Sequence, residues 1–82
     1  MKLLKVSAEW CSPCKQLQKV IDNAGDKIPV EIENIDLDED SKTAMKYNVR
    51  GVPTLILIDD TGNEIKRNVG MMTEDKLLEW LK

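Results

Sequence analysis

The chain has 82 residues, of which 41% are hydrophobic and 33% charged, and it carries a formal net charge of −3. This length fits a single domain over residues 1–82, and the composition excludes a disordered segment. The acidic balance, with a sequence pI of about 4.9, excludes nucleic acid and anionic membranes as the main partner, because both are negatively charged.

The N-terminal residues give no indication of export or membrane insertion. Met1 leads directly into residues 2–6, an apolar run of strand length, and not into a signal peptide. No apolar stretch approaches the roughly 18 residues that a membrane-spanning helix needs. We therefore expect a soluble, cytoplasmic protein.

The first half of the chain predicts a strand, a helix and a second strand. Residues 3–7 predict a strand, and residues 28–35 alternate apolar and polar side chains in their second half, as a strand with one drier face does. Between them, Gly25 suits the position that follows a helix. Apolar residues recur at helical spacing before it: Leu17, Val20, Ile21 and Ala24.

The second half predicts a short helix followed by a hairpin. The acidic run 36–41 can cap and begin a helix that continues to Tyr47. Residues 54–58 form the most apolar run and predict a central strand buried on both faces. The turn 59–62 then leads into an amphipathic edge strand over residues 63–69, which should pair antiparallel with it.

Thr73 predicts the N-cap of a last helix with Leu77, Leu78 and Leu81 toward the core. The order of elements is therefore β-α-β-α-β-β-α. Because a helix joins the first two strands, they should be parallel with a right-handed crossover. We predict an α/β fold in which a four-stranded mixed sheet is flanked by three helices.

Cys11 and Cys14 are the only cysteines, and the chain contains no histidine. A structural disulfide here would close a very short loop and would stabilise the fold little. A zinc site would need further ligands, from a second chain or from carboxylates, so we predict no metal. Two ordinary buried cysteines are a further alternative.

A redox-active pair is the favoured interpretation of these cysteines. Cys11 lies at the predicted start of the first helix and Cys14 one turn further, so their side chains share a face. Free backbone N–H groups and the positive end of the helix dipole favour a thiolate. Cys11 should be the exposed nucleophile and Cys14 the resolving thiol, and Pro13 fits the first turn, where a missing N–H costs little.

Four segments resemble the successive motifs of the thioredoxin family, in the family's order and across nearly the whole chain. They are residues 8–15 (AEWCSPCK), 34–36 (NID), 47–54 (YNVRGVPT) and 69–70 (VG). The resemblance implies a thioredoxin-like fold and the reduction of protein disulfides. The chain is shorter than full-length thioredoxins, because it lacks their N-terminal strand and helix.

The resemblance also implies roles for individual residues. Cys11 matches the attacking cysteine, Cys14 the resolving cysteine and Pro53 the cis-proline beside the active site. The groove that holds the partner's extended segment would be formed by Trp10, Val52, Gly70 and Met71.

Three positions depart from the pattern of thioredoxins. Ser12 stands where glycine is usual, Lys5 where a buried acid is usual, and Ile32 where a nearby lysine is usual. Ser12, Pro13 and Lys5 should therefore tune the active site. The Lys5 ammonium can point toward the cysteines or extend to solvent, and we expect it to extend to solvent.

The resemblance implies a thiol–disulfide oxidoreductase that reduces protein disulfides through a Cys11/Cys14 cycle with a mixed-disulfide intermediate. No bound cofactor is expected beyond the redox-active disulfide, and a thioredoxin-reductase-like donor should supply electrons to a monomer. A glutathione-dependent, glutaredoxin-like enzyme is an alternative, although residues 70–72 lack the second glycine common in that family. A non-enzymatic binding module with a thioredoxin fold is another.

Overall fold

A computed structural model describes all residues 1–82 and contains the predicted elements in the predicted order. They are β1 (Lys2–Ser7), α1 (Ser12–Ala24), β2 (Glu31–Asp36), α2 (Ser41–Lys46), β3 (Thr54–Ile58), β4 (Glu64–Val69) and α3 (Glu74–Trp80). The four strands form one mixed sheet in the order β2-β1-β3-β4. β1 is parallel to β2 and antiparallel to β3, and β3 is antiparallel to β4. The predicted fold class is confirmed.

The boundaries of β2 and β4 differ from the predicted ones. β2 begins at Glu31 and not at residue 28, because a 3₁₀ turn (Gly25–Lys27) precedes it and Pro29 has no N–H to donate to a ladder. β4 begins after Asn63, whose N–H donates to the Asp59 carboxylate at 3.0 Å and whose carbonyl accepts from the Asp59 N–H at 2.9 Å. Asn63 therefore belongs to the hairpin turn.

Every residue of β3 is buried, as its apolar run predicts. Alternate residues of the strands pack on opposite faces of the sheet. One face is covered by α1 and α3 and holds Leu3, Leu17, Leu55, Leu57 and Leu77. The other face holds Leu4, Val6, Ile35, Ile56 and Ile58. None of the helices is long and apolar enough to cross a membrane.

Replacement of Leu17 by alanine tests whether α1 is held by this packing. Leu17 is fully buried at the centre of the α1 face. We expect Leu17→Ala to lower the free energy of unfolding by about 2–5 kcal/mol, since it removes buried methyl groups and leaves a cavity. Urea denaturation measures the change, with Lys19→Ala on the exposed face of α1 as the matched control. Equal midpoints for the two variants would contradict this packing.

Candidate functional site

The site lies between the end of β1 and the start of α1. Cys11 is the N-cap of α1 in an extended backbone conformation, and its N–H donates to the Ala8 carbonyl at 3.1 Å. Cys11 and Cys14 are joined by a disulfide, with their Cα atoms 5.2 Å apart. The redox-active disulfide expected from the sequence is therefore present.

The N-terminal end of α1 supplies a hydrogen-bond donor to the sulfur of Cys11. The Cys14 N–H donates to Cys11 Sγ at 3.1 Å. Ser12 and Pro13 complete the first turn, and both are exposed. No acidic residue lies in that turn, so no carboxylate offsets the positive end of the helix dipole beside the sulfur. This arrangement stabilises negative charge on Cys11 once the disulfide is reduced.

The prediction that Cys11 is exposed was wrong. Its exposed fraction is 4%, close to the 3% of Cys14. Both cysteines pack with Ala8, and the half-buried side chains of Leu37 and Val52 close over this group. Leu37, in the turn that follows β2, and Val52 therefore shield the disulfide. Only a small part of the disulfide is exposed to solvent.

A loop that ends in a cis-proline forms the other wall of the site. The Val52–Pro53 peptide bond is cis, and Pro53 is buried. The Pro53 carbonyl accepts from the Gly70 N–H at 2.8 Å, and Thr54 Oγ1 donates to the Gly51 carbonyl at 2.6 Å. The backbone N–H and carbonyl of Val52 have no hydrogen-bond partner within the chain.

Gly70 and Met71 follow β4 beside this loop. Gly70 has φ +100°, a backbone conformation that favours glycine. Met71 is about half exposed, as is expected of a contact surface. The structure thus brings Val52, Pro53 and Gly70 together, and Val52 in turn contacts the cysteines.

Trp10 precedes the nucleophilic cysteine and is the large aromatic of the site. Its side chain is 67% exposed, and its indole Nε1–H donates to Asp38 Oδ2 at 3.0 Å. The Asp36 carboxylate accepts from the N–H groups of Asp38 and Glu39 and fixes that turn. An apolar ring is therefore held in solvent directly beside the disulfide.

The prediction that Lys5 extends its ammonium to solvent was wrong. Lys5 is 6% exposed, and its Nζ donates to Gln18 Oε1 and, at 3.2 Å, to Asn34 Oδ1. These two amide oxygens replace water as partners, so the side chain stays inside. Burial lowers the pKa of Lys5, and the carboxylate of Asp22 opposes that shift in part.

A polar cleft of about 490 Å³ opens next to Lys5. Its walls come from β1, α1, β2 and the acidic turn, and they comprise Lys5, Ser7, Gln18, Asn34, Ile35, Asp36, Glu39 and Asp40. Ile32 packs against the apolar core and adds no charge here. Lys5 is the only charged residue that is buried.

The contacts of Leu37, Gln18 and Asn34 are not evident from the motifs of the sequence. Gln18 could have been found from its spacing, because it follows Cys14 by four residues and so lies on the same helix face. Asn34 faces Lys5 across the parallel pair of β1 and β2, which depends on register. Leu37 lies beyond the end of β2, where no periodicity applies.

The burial of Lys5 predicts a pH-dependent stability. Because the pKa of Lys5 is lower in the folded protein than its ordinary 10.5, the unfolded chain binds more protons between those two values. The free energy of unfolding contributed by Lys5 therefore rises with pH in that window. We expect the stability of Lys5→Met relative to the unsubstituted chain to be greatest at neutral pH and to fall as the pH approaches 10.5.

Urea denaturation at a series of pH values measures this difference. Lys19→Met, on the exposed face of α1, is the control and should differ from the unsubstituted chain by a constant amount. A Lys5→Met difference that is also independent of pH would contradict the burial of the ammonium.

The sequence of this chain is similar to those of known thioredoxins. The family model described as Thioredoxin matches residues 1–82. The thioredoxin of Chlamydia pneumoniae is 43% identical over 76 residues, which covers 92% of this chain and 74% of that protein. The thioredoxin of Rhodospirillum rubrum is 39% identical over 79 residues, covering 92% of this chain and 73% of that one.

Solved structures show the same similarity. A mutant thioredoxin from Halobacterium salinarum superposes with a TM-score of 0.88 at 36% identity, covering 98% of this chain and 70% of that chain. The thioredoxin of Fasciola hepatica superposes with a TM-score of 0.85 at 33% identity, covering 98% of this chain and 76% of that chain.

Proposed function

Because this chain belongs to the thioredoxin family and is a thiol–disulfide oxidoreductase, we propose that it works as a reductant of protein disulfides, with Cys11 as the nucleophile and Cys14 as the resolving thiol. The observation that carries the division of roles is the Cys14 N–H donated to Cys11 Sγ at the end of α1. That bond favours the thiolate on Cys11 and not on Cys14.

The proposed cycle has two exchange steps. The Cys11 thiolate attacks one sulfur of the substrate disulfide, and the other substrate sulfur leaves as a thiolate that takes a proton from water. Cys14 then loses its proton, attacks Cys11 Sγ and displaces the second substrate sulfur, which is protonated in turn. The substrate gains two electrons, and the chain is left with the Cys11–Cys14 disulfide.

The substrate is proposed to bind as an extended segment beside the cis-proline loop. The unpaired backbone groups of Val52 can form hydrogen bonds with a strand of the partner. Pro53 fixes that segment of the loop through Gly70. Trp10 and Met71 supply exposed apolar surface on either side.

Ser12 and Pro13 are proposed to tune the nucleophile. Pro13 has no N–H, so the first turn directs the N–H of Cys14 toward the sulfur without a competing donor at that position. Ser12 is exposed beside Cys11 and adds a hydroxyl where a partner would approach.

Electrons are proposed to come from an external reductase of the thioredoxin-reductase type, with no bound cofactor beyond the disulfide. A reductant of this kind needs a compartment that keeps thiols reduced, and we therefore propose a cytoplasmic location. We also propose a monomeric state. The partners are then the reductase and proteins with exposed disulfides.

Recharging kinetics test the proposal. We expect NADPH with a thioredoxin reductase to sustain insulin reduction by this chain, and reduced glutathione with glutathione reductase to sustain it poorly. Lys82→Ala, at the exposed C-terminus, serves as the control. Faster turnover with glutathione would overturn the proposal in favour of a glutaredoxin-like enzyme, and no turnover with either donor would favour a binding module.

A further inference from the structure

The only buried charge in the fold has no part in the cycle described above. Lys5 lies on β1, opposite Asn34 of β2 and Leu55 of β3. Leu3 packs against α1, and Lys5, two residues later on the same strand, lies on the same face of the sheet. Its ammonium is therefore located in the interior between the sheet and the helix that carries the cysteines.

The partner that holds the ammonium on α1 lies one helical turn from the resolving cysteine. Its partner Gln18 follows Cys14 by four residues, and such pairs lie about 5–6 Å apart at their Cβ atoms. Gln18 Nε2 donates to Asp22 Oδ1 at 2.8 Å, which leaves its Oε1 to accept from Lys5. Asn34 Oδ1 holds the ammonium from the other side.

One hydrogen of the ammonium is left over. A protonated lysine carries three donors, and Lys5 uses two of them, on Gln18 and Asn34. Both of these partners accept hydrogen bonds, so the arrangement suits the charged form. The third donor remains free for a neighbouring anion or for water in the polar cleft.

Carboxylates on the surrounding elements also favour the charged form. Asp22 faces Lys5 from α1. Asp36 at the end of β2, and Glu39 and Asp40 from the turn that follows, line the cleft next to Lys5. β3 contributes only the uncharged Leu55 opposite Lys5.

We propose that the Lys5 ammonium, held by Gln18 and Asn34, is a positioning residue that stabilises the thiolate of Cys14. This inference rests on the proposed function, in which Cys14 resolves the mixed disulfide. The Cys14 proton leaves to water, and the Lys5 ammonium, bound to Gln18 one turn from Cys14, supplies a fixed positive charge to the thiolate that remains. Lys5 itself neither gains nor loses a proton in the step.

Stabilisation of a thiolate has a consequence for the redox equilibrium. The thiolate exists only in the reduced protein, so a neighbouring positive charge stabilises the dithiol against the disulfide. Lys5 therefore makes the Cys11–Cys14 disulfide a stronger oxidant than it would be with a neutral side chain at this position.

Two readouts on Lys5→Met test the inference. In a Cys11→Ser background, ultraviolet absorbance of the thiolate follows the titration of Cys14, and we expect its midpoint to rise by about one pH unit. In the chain with both cysteines, at a pH above both midpoints, the equilibrium constant with glutathione should shift about tenfold toward the disulfide, which corresponds to about 30 mV. Lys5→Arg should retain the values of the unsubstituted chain, and Lys19→Met is the matched control.

A folded Lys5→Met variant with unchanged titration and unchanged equilibrium would overturn the inference and leave Lys5 a structural residue. If Lys5→Met does not fold, Gln18→Met removes the tether and keeps the charge. It should move both readouts in the same direction by a smaller amount, and no movement there would also overturn the inference. Neither readout involves a protein substrate, so a failure to reduce insulin would refute the proposed function, whereas unchanged readouts in a chain that reduces insulin would refute this inference alone.

Discussion

A Cys11→Ser variant is expected to reduce insulin no faster than the dithiol reagent that serves as its electron source. Cys11 is the N-cap of α1, and its sulfur accepts the Cys14 N–H at 3.1 Å. The other cysteine, Cys14, lies within the first turn of α1 and donates its N–H to Cys11 Sγ, so its own thiol lacks that stabilisation. The turbidity of precipitating insulin measures the rate.

The loss must come from chemistry and not from unfolding. Circular dichroism and urea denaturation of Cys11→Ser should show a folded protein, and Lys19→Ala should retain the full rate in the same assay. Reduction of insulin by a folded Cys11→Ser protein at the rate of the unsubstituted chain would show that Cys11 is not the nucleophile.

A Cys14→Ser variant is expected to accumulate covalent complexes with its substrates. Cys11 can still attack, but the second sulfur that releases the partner is absent. The complexes should appear as higher-mass bands on non-reducing gels and should collapse to the free chain on reduction. Multiple turnover should fall to the rate at which external thiols resolve the complex.

The double variant Cys11→Ser/Cys14→Ser is the control for trapping, since it has no thiol. It should form no covalent complex with the same substrates. Complexes that form equally well with Cys11→Ser alone would assign the attacking role to Cys14 and reverse the proposed order.

The parts of the fold that follow from local pattern could be predicted from the sequence. The apolar run at residues 54–58 places β3 at the centre of the sheet, where all its residues are buried. The helical spacing before Gly25 places the end of α1 at Ala24. Both patterns reflect burial of one continuous surface, which a single sequence reveals directly.

Features set by tertiary contacts could not be predicted in this way. The burial of Cys11 depends on Leu37 and Val52, two residues from distant segments that close over it. The position of the Lys5 ammonium depends on Gln18 and Asn34, which meet it only after α1 has packed on the sheet. A long charged side chain that is free to extend would reach solvent, and these two amide oxygens prevent that.

The site is predictable in its chemistry and less so in its access. Residue type and spacing identify the cysteine pair. A helix N-terminus stabilises a thiolate, and two side chains one turn apart share a helix face. The turn over residues 36–40 is acidic in sequence and suggests only a helix start. In the structure it also carries Leu37 against the cysteines and Asp38 against the indole of Trp10.

The proposed function depends most directly on Cys11 and Cys14 cycling together as one two-electron couple. Equilibration of the chain with glutathione buffers, followed by acid quenching and mass spectrometry, measures the fraction in each state. We predict a single transition between dithiol and intramolecular disulfide, with a tenfold change in their ratio for about each 29.6 mV of buffer potential. A chain that instead accumulates one glutathione on Cys11 while Cys14 stays a free thiol would contradict the proposed function.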